Sequence, residues 1–166
     1  MSEAKDPAFK KINNLYAIYI ASIILQFMPF GMVITFGFFL FITVFIYTYI
    51  LRGKAEPEDL IDNHATYLIR TVWIFGLVAL AGIVAGAFYI MYAFEPGELE
   101  RLGREVIFSN NLHQTLKDYQ SQYFNILLTT NIIAFGPAVI YIAYRLVKGL
   151  SRAIKGYRVA SPRSFL

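Results

Sequence analysis

The stretch Leu15–Leu51, LYAIYIASIILQFMPFGMVITFGFFLFITVFIYTYIL, runs for 37 residues without a formal charge. A helix needs about 20 apolar residues to cross a bilayer, with about 17 as the short limit. One helix of this length would overshoot, and Pro29-Phe30-Gly31 stands near its middle. Proline removes a backbone donor and glycine permits a sharp turn, so the tripeptide predicts a corner between two spans. The first is expected over 12–28 and the second over 32–51, both short enough to require tilting or local thinning of the bilayer.

Composition agrees. Of 166 residues, 57% are hydrophobic and only 16% charged, with a mean hydropathy of +0.52. Ordinary soluble domains carry about 25% charge. The apolar residues also come in blocks, as they do when lipid is the solvent. There is no cysteine, which removes disulfides, thiolate nucleophiles, thiolate metal ligands and S-acylation. Lysines followed by an apolar run resemble a signal peptide, but no small-residue cleavage site follows, so the first span is expected to stay uncleaved.

A third span is expected over 65–94, stopped by Glu95-Pro96-Gly97, and a fourth over 124–147, weakened at Gly136-Pro137. A proline inside a span is tolerated when neighbours satisfy the freed carbonyl. The expected fold is therefore an all-α integral membrane four-helix bundle with amphipathic extramembrane segments: an outer loop over 95–123 and a basic tail over 148–166. With four spans, Lys5, Lys10, Lys11, Arg52, Lys54, Arg70, Arg145, Lys148, Arg152, Lys155, Arg158 and Arg163 fall on one side. Only Arg101, Arg104 and Lys117 fall on the other. The excess of cations on the first side predicts that both termini are cytoplasmic.

His64, Arg70 and Trp73 are the candidate functional or anchoring residues. Arg70 lies about 7 Å along the third span from Ala65, a depth from which a guanidinium can snorkel back to the interface. An anchored helix end is preferred over a buried cation that pairs with substrate or a partner helix. Trp73, the single tryptophan, fits an interfacial aromatic belt. His64 follows Glu58, Asp59 and Asp62, but a zinc site usually takes three protein ligands, often histidine, and His113 is expected across the membrane. No metal, cofactor or catalytic residue is expected. The acidic run instead predicts a helix start with Asp62 or Asn63 as cap.

Gly76, Gly82 and Gly86 on the third span, with Ala134 and Ala138 on the fourth, are candidate helix-packing positions. Gly82–Gly86 is a GxxxG pair, which lets helix backbones approach closely. Packing inside one bundle is preferred over a dimer interface. Asn125, Thr129, Thr130 and Asn131 are expected to hydrogen-bond between helices, and helices one and two are too apolar to line a wide aqueous pore. In the outer loop, Leu99, Leu102 and Val106, then Leu112, Leu116, Tyr119 and Tyr123, have helical spacing around Ser109-Asn110-Asn111. Two short amphipathic helices on the membrane surface are expected there. In the tail, Arg145, Lys148, Arg152 and Lys155 recur at three- and four-residue steps, with Val147, Leu150, Ile154 and Tyr157 on another face. This predicts a basic face against anionic lipid of the cytoplasmic leaflet rather than a nucleic-acid patch.

The run NHATYLIRTVWI and the later run IYIAYRLVKGLSRAIKGYRV together resemble small bacterial membrane proteins related to the Tic import component of the plastid inner envelope. Many bacterial members are described only as a domain of unknown function. The matching positions are His64, Ile69, Arg70, Thr71, Trp73, Tyr144, Arg145, Val147, Lys148 and Gly149, within a likeness over 15–159 that omits the long 95–123 loop. The resemblance implies a four-helix protein of the bacterial inner membrane without established enzymatic activity. Plastid relatives are linked to protein import, and some bacterial ones to magnetosome membranes. The expected role is a non-enzymatic scaffold or assembly component, a homo-oligomer or a partner of other membrane proteins. A transporter, channel or translocation accessory is the rival.

Overall fold

The computed structural model describes residues 7–164; Lys5 and residues 165–166 of the expected basic tail lie outside the described residues. Six helices and no strand occur among them: α1 Pro7–Gln26, α2 Gly31–Lys54, α3 Leu60–Ala93, α4 Glu98–Ile107, α5 Leu112–Gln122 and α6 Phe124–Ile154. The chain is thus all-helical.

The corner falls where proline and glycine required it. The chain leaves helix at Phe27–Phe30 and re-enters it at Gly31, so that α1 packs back along α2. A buried polar rung joins the pair. Thr48 donates its one hydroxyl proton to the Val44 carbonyl at 2.7 Å, so the Tyr19 hydroxyl, 3.0 Å from Thr48 Oγ1, must be the donor between them.

α2, α3 and α6 are long and apolar enough to cross a membrane. α1 is not among these, although its 20 residues would reach about 30 Å. Lys10, Lys11, Asn13 and Asn14 crowd its first turns and Gln26 ends it. The expectation of four spans is therefore met by three helices on length and composition.

α3 begins a turn earlier than expected, which changes its cap. Asp59 Oδ1 accepts from the Leu60 amide at 2.5 Å, while Asp62 and Asn63 lie inside the helix. α6 continues through Pro137 without interruption and ends two turns past the expected boundary. The outer loop forms the two short helices its spacing predicted.

The chain divides into two compact units. The first takes the chain as far as Phe75 and resumes at Tyr141; the second is Gly76–Ile140. In the second, a Cβ on Gly82 would fall 2.1 Å from the Ala134 carbonyl oxygen, and one on Gly86 would lie 3.3 Å from Ala134 Cβ. The GxxxG pair is therefore used within the unit, against α6. Gly76 has nothing within 4 Å of such a Cβ and does not take part. Thr130 and Asn131 donate to the Ile126 and Leu127 carbonyls of their own helix, each at 2.8 Å. For these two the expected bonds between helices give way to bonds on the carbonyl four residues back.

Candidate functional site: a polar clamp where helix ends meet

The first unit gathers the beginning of α1, the beginning of α3 and the end of α6 around one core. Ile12, Leu15 and Tyr16 are buried there with Tyr67, Leu68, Leu146, Ala153 and Val159. Val159 belongs to the tail, which the sequence pattern left on the membrane surface. Gly156 turns the chain: its φ of +72° is a left-handed conformation that favours glycine. Its amide bonds the Ala153 carbonyl and the Tyr157 amide bonds the Arg152 carbonyl. α6 ends there and the chain doubles back.

Asn63 holds the returning chain. Its Nδ2 donates to the Val159 carbonyl at 3.1 Å and its Oδ1 accepts from the Val159 amide at 2.7 Å. The side-chain amide copies a peptide group, as if adding one residue of strand. This explains why Asn63 is not the cap: both of its polar atoms are engaged 96 residues away.

His64 lies fully buried beside it. Nε2 is 3.0 Å from the Tyr157 carbonyl, which can only accept, so Nε2 carries the proton. Nδ1 then accepts from the Tyr16 hydroxyl at 3.0 Å. Both ring nitrogens are thus engaged by the protein, Nε2 as donor and Nδ1 as acceptor. Gly149 completes this contact, because a Cβ there would fall 2.3 Å from Tyr16 Oη.

Arg145 overturns part of the expected basic face. It is 1% exposed, with its Cζ 3.9 Å from the centre of the Tyr67 ring. Its Nε donates to Thr71 Oγ1 at 3.2 Å, and its main-chain carbonyl accepts from the Tyr67 hydroxyl at 2.9 Å. Nη2 is buried without a hydrogen-bond partner. A ring face stabilises a desolvated cation by about 2 kcal/mol, and here it takes the place of a carboxylate. On the same stretch Val147 and Ile154 point outward, the reverse of a water-soluble amphipathic helix. Of the other expected lipid contacts, Lys148 folds onto the Tyr144 ring at 5.3 Å. Arg152 Nη1 donates to the Arg158 carbonyl, and Lys155 is exposed.

Trp73 is 60% exposed, with its indole N–H on the Tyr49 hydroxyl at 2.7 Å. Arg70 is half-buried and within electrostatic reach of Tyr141. No family model matches the chain, and neither does any curated protein or solved structure.

The runs NHATYLIRTVWI and IYIAYRLVKGLSRAIKGYRV meet in this clamp, through Thr71 with Arg145 and through His64 and Gly149, both against Tyr16. Sequence reasoning missed Tyr16, Asn63 as a tail holder, Tyr67 and Val159. The one available signal was the left-handed turn prefigured by Lys155-Gly156 at the end of a helical pattern.

Proposed function

We propose that this chain is an integral membrane protein with four crossings and both termini on the cytoplasmic side. In this reading it serves without enzymatic activity as a scaffold or assembly component of a membrane complex, in the bacterial inner membrane that its Tic-like resemblance implies. The observation that carries the membrane part is the inverted distribution of polarity. Tyr16, Tyr19, Ser22, Thr48, His64, Tyr67, Thr71 and Arg145 are buried, while Phe36, Phe38, Phe39, Leu77, Phe88 and Met91 are exposed. Exposed apolar surface on this scale would drive aggregation in water but matches a hydrocarbon environment.

Four crossings are supported by the clamp itself. The first turns of α1, the start of α3 and the end of α6 share one core, so α1 begins beside the start of α3 and the Val159 stretch of the tail. A scaffold role is supported by how most of the buried polar groups are used: Tyr16, Asn63, His64, Tyr67 and Thr71 close on one another and on backbone, with apolar faces left for lipid, other membrane proteins or a second copy. Crosslinking and affinity purification from native membranes should recover the chain in a larger complex. Reproducible solute or ion flux through purified, reconstituted protein, abolished by Arg70→Ala, would instead establish the transporter reading.

A further inference from the structure

Beyond the clamp, the tail builds a second feature. After Val159 is pinned by Asn63, Ser161-Pro162-Arg163-Ser164 closes a β-turn, with the Ser164 amide 3.0 Å from the Ser161 carbonyl. Proline at the second position presets that turn. The turn brings Arg163 to the edge of a cleft of about 520 Å³, lined also by Tyr49, Arg52, Gly53, Ala55, Pro57 and Asp62. Arg52 meets Asp62 through Nε at 3.4 Å; Arg163 forms no ion pair among the described residues. The lining charges therefore sum to one net cation, made of two arginines and one carboxylate. Guanidinium groups present forked donors suited to phosphate oxygens.

One wall of the cleft faces hydrocarbon. Tyr49 accepts from Trp73, Trp73 packs at the edge of Phe45, and Tyr49, Ile50 and Trp73 are exposed. A hydrogen-bonded tryptophan–tyrosine pair marks the headgroup level of a bilayer. Cations just beyond it, on the side that carries the tail, lie where lipid phosphates lie.

We infer that this cleft binds the headgroup of an anionic glycerophospholipid of the same leaflet, with Arg163 and Arg52 on the phosphate and an acyl chain along Phe45, Tyr49 and Trp73. The site rests on the membrane reading above and adds to it a lipid class and the residues that select it. It also gives the clamp a purpose, since Asn63 sets the position of Arg163.

Trp73, as the single tryptophan, reports on the site directly. The full chain is reconstituted in phosphatidylcholine bilayers containing a small fraction of brominated lipid, and quenching of its fluorescence is read. Brominated phosphatidylglycerol should quench at lower mole fraction than brominated phosphatidylcholine. Arg163→Gln should weaken that preference about five-fold, since each cation near an anionic headgroup contributes about 1 kcal/mol. Lys10→Gln, an exposed cation of α1 outside the cleft, should leave it unchanged. Soluble glycerol phosphate at millimolar concentration should not relieve the quenching, which separates a lipid from a free phosphate. Equal quenching by both lipids, or a preference unaffected by Arg163→Gln, overturns the site. Failure of the protein to enter bilayers at all would sink the membrane reading instead.

Discussion

At the scale of single residues, Asn63 has the largest reach. Two hydrogen bonds tie it to Val159, and the Val159 side chain is buried in the core. Asn63→Ala removes both bonds and leaves the Val159 amide and carbonyl without partners, at about 1–3 kcal/mol for each buried group so exposed. The tail should loosen while the helices stay formed. Trypsin cleavage after Lys155 and Arg158 is expected to accelerate several-fold in detergent-solubilised Asn63→Ala, with circular dichroism unchanged; unaltered cleavage would show that the clamp does not hold the tail. Asn63 was legible in the sequence only as a polar residue before an apolar run, which is the pattern of a cap. Its true partner lies 96 residues away, and no local periodicity encodes a contact of that span. Arg145 misled for a related reason. Its spacing to Lys148 and Arg152 places all three on one helix face, but spacing does not say whether that face meets lipid or protein.

At the scale of elements, the long helices were readable because their apolar runs are long and uninterrupted. An uncharged run, a proline–glycine corner and a terminating Glu-Pro-Gly are strong boundary signals, and the observed helices follow them. The boundaries drifted at Leu60, whose amide is held by Asp59, and at Ile154, where the Gly156 turn closes the helix. The small residues of α3 were legible as a set but not individually. Gly82→Leu must displace the Ala134 backbone, and overpacking of this kind costs about 1–3 kcal/mol or more. Gly76→Ala adds a Cβ that meets nothing within 4 Å and should leave thermal unfolding in micelles within a degree or two of the parent; a loss there equal to that of Gly82→Leu would contradict the contact at Gly82.

The outer helices offer a pH test at the same scale. The Tyr123 hydroxyl donates to Glu98 Oε1 at 2.5 Å, and Arg101 Nη2 stands 3.4 Å from the same oxygen. These partners, Tyr123 foremost, hold the Glu98 carboxyl below its ordinary 4.5. A lowered value means that the folded form favours the carboxylate. Its contribution is fully present above the ordinary carboxylate range and disappears as pH falls through the depressed value. Hydrogen exchange in α4 and around Tyr123 should therefore rise below about pH 4.5, and Tyr123→Phe should shift that rise toward higher pH. Exchange that is flat from pH 6 to pH 3 would show that this contact does not order the outer helices.

At the scale of the whole molecule, topology is the property on which function depends. The proposed four crossings put twelve cations on one side and three on the other, and the clamp joins the start of α1 to the tail. If α1 were a surface helix and only α2, α3 and α6 crossed, the tail and the α2–α3 connection would still share a side, because α3 and α6 each cross once between them. The beginning of α1 decides between the two cases. The chain has no cysteine, so single replacements report without background. Lys10→Cys, Lys54→Cys and Ser161→Cys should react with a membrane-impermeant maleimide only after the cytoplasmic face is opened. Ser109→Cys, between the outer helices, should react in intact cells. Labelling of Lys10→Cys from outside would break the four-crossing arrangement. It would also conflict with the Tyr16–His64 contact, since α1 has too few residues between Lys10 and Tyr16 to place them on opposite faces of a bilayer about 30 Å thick.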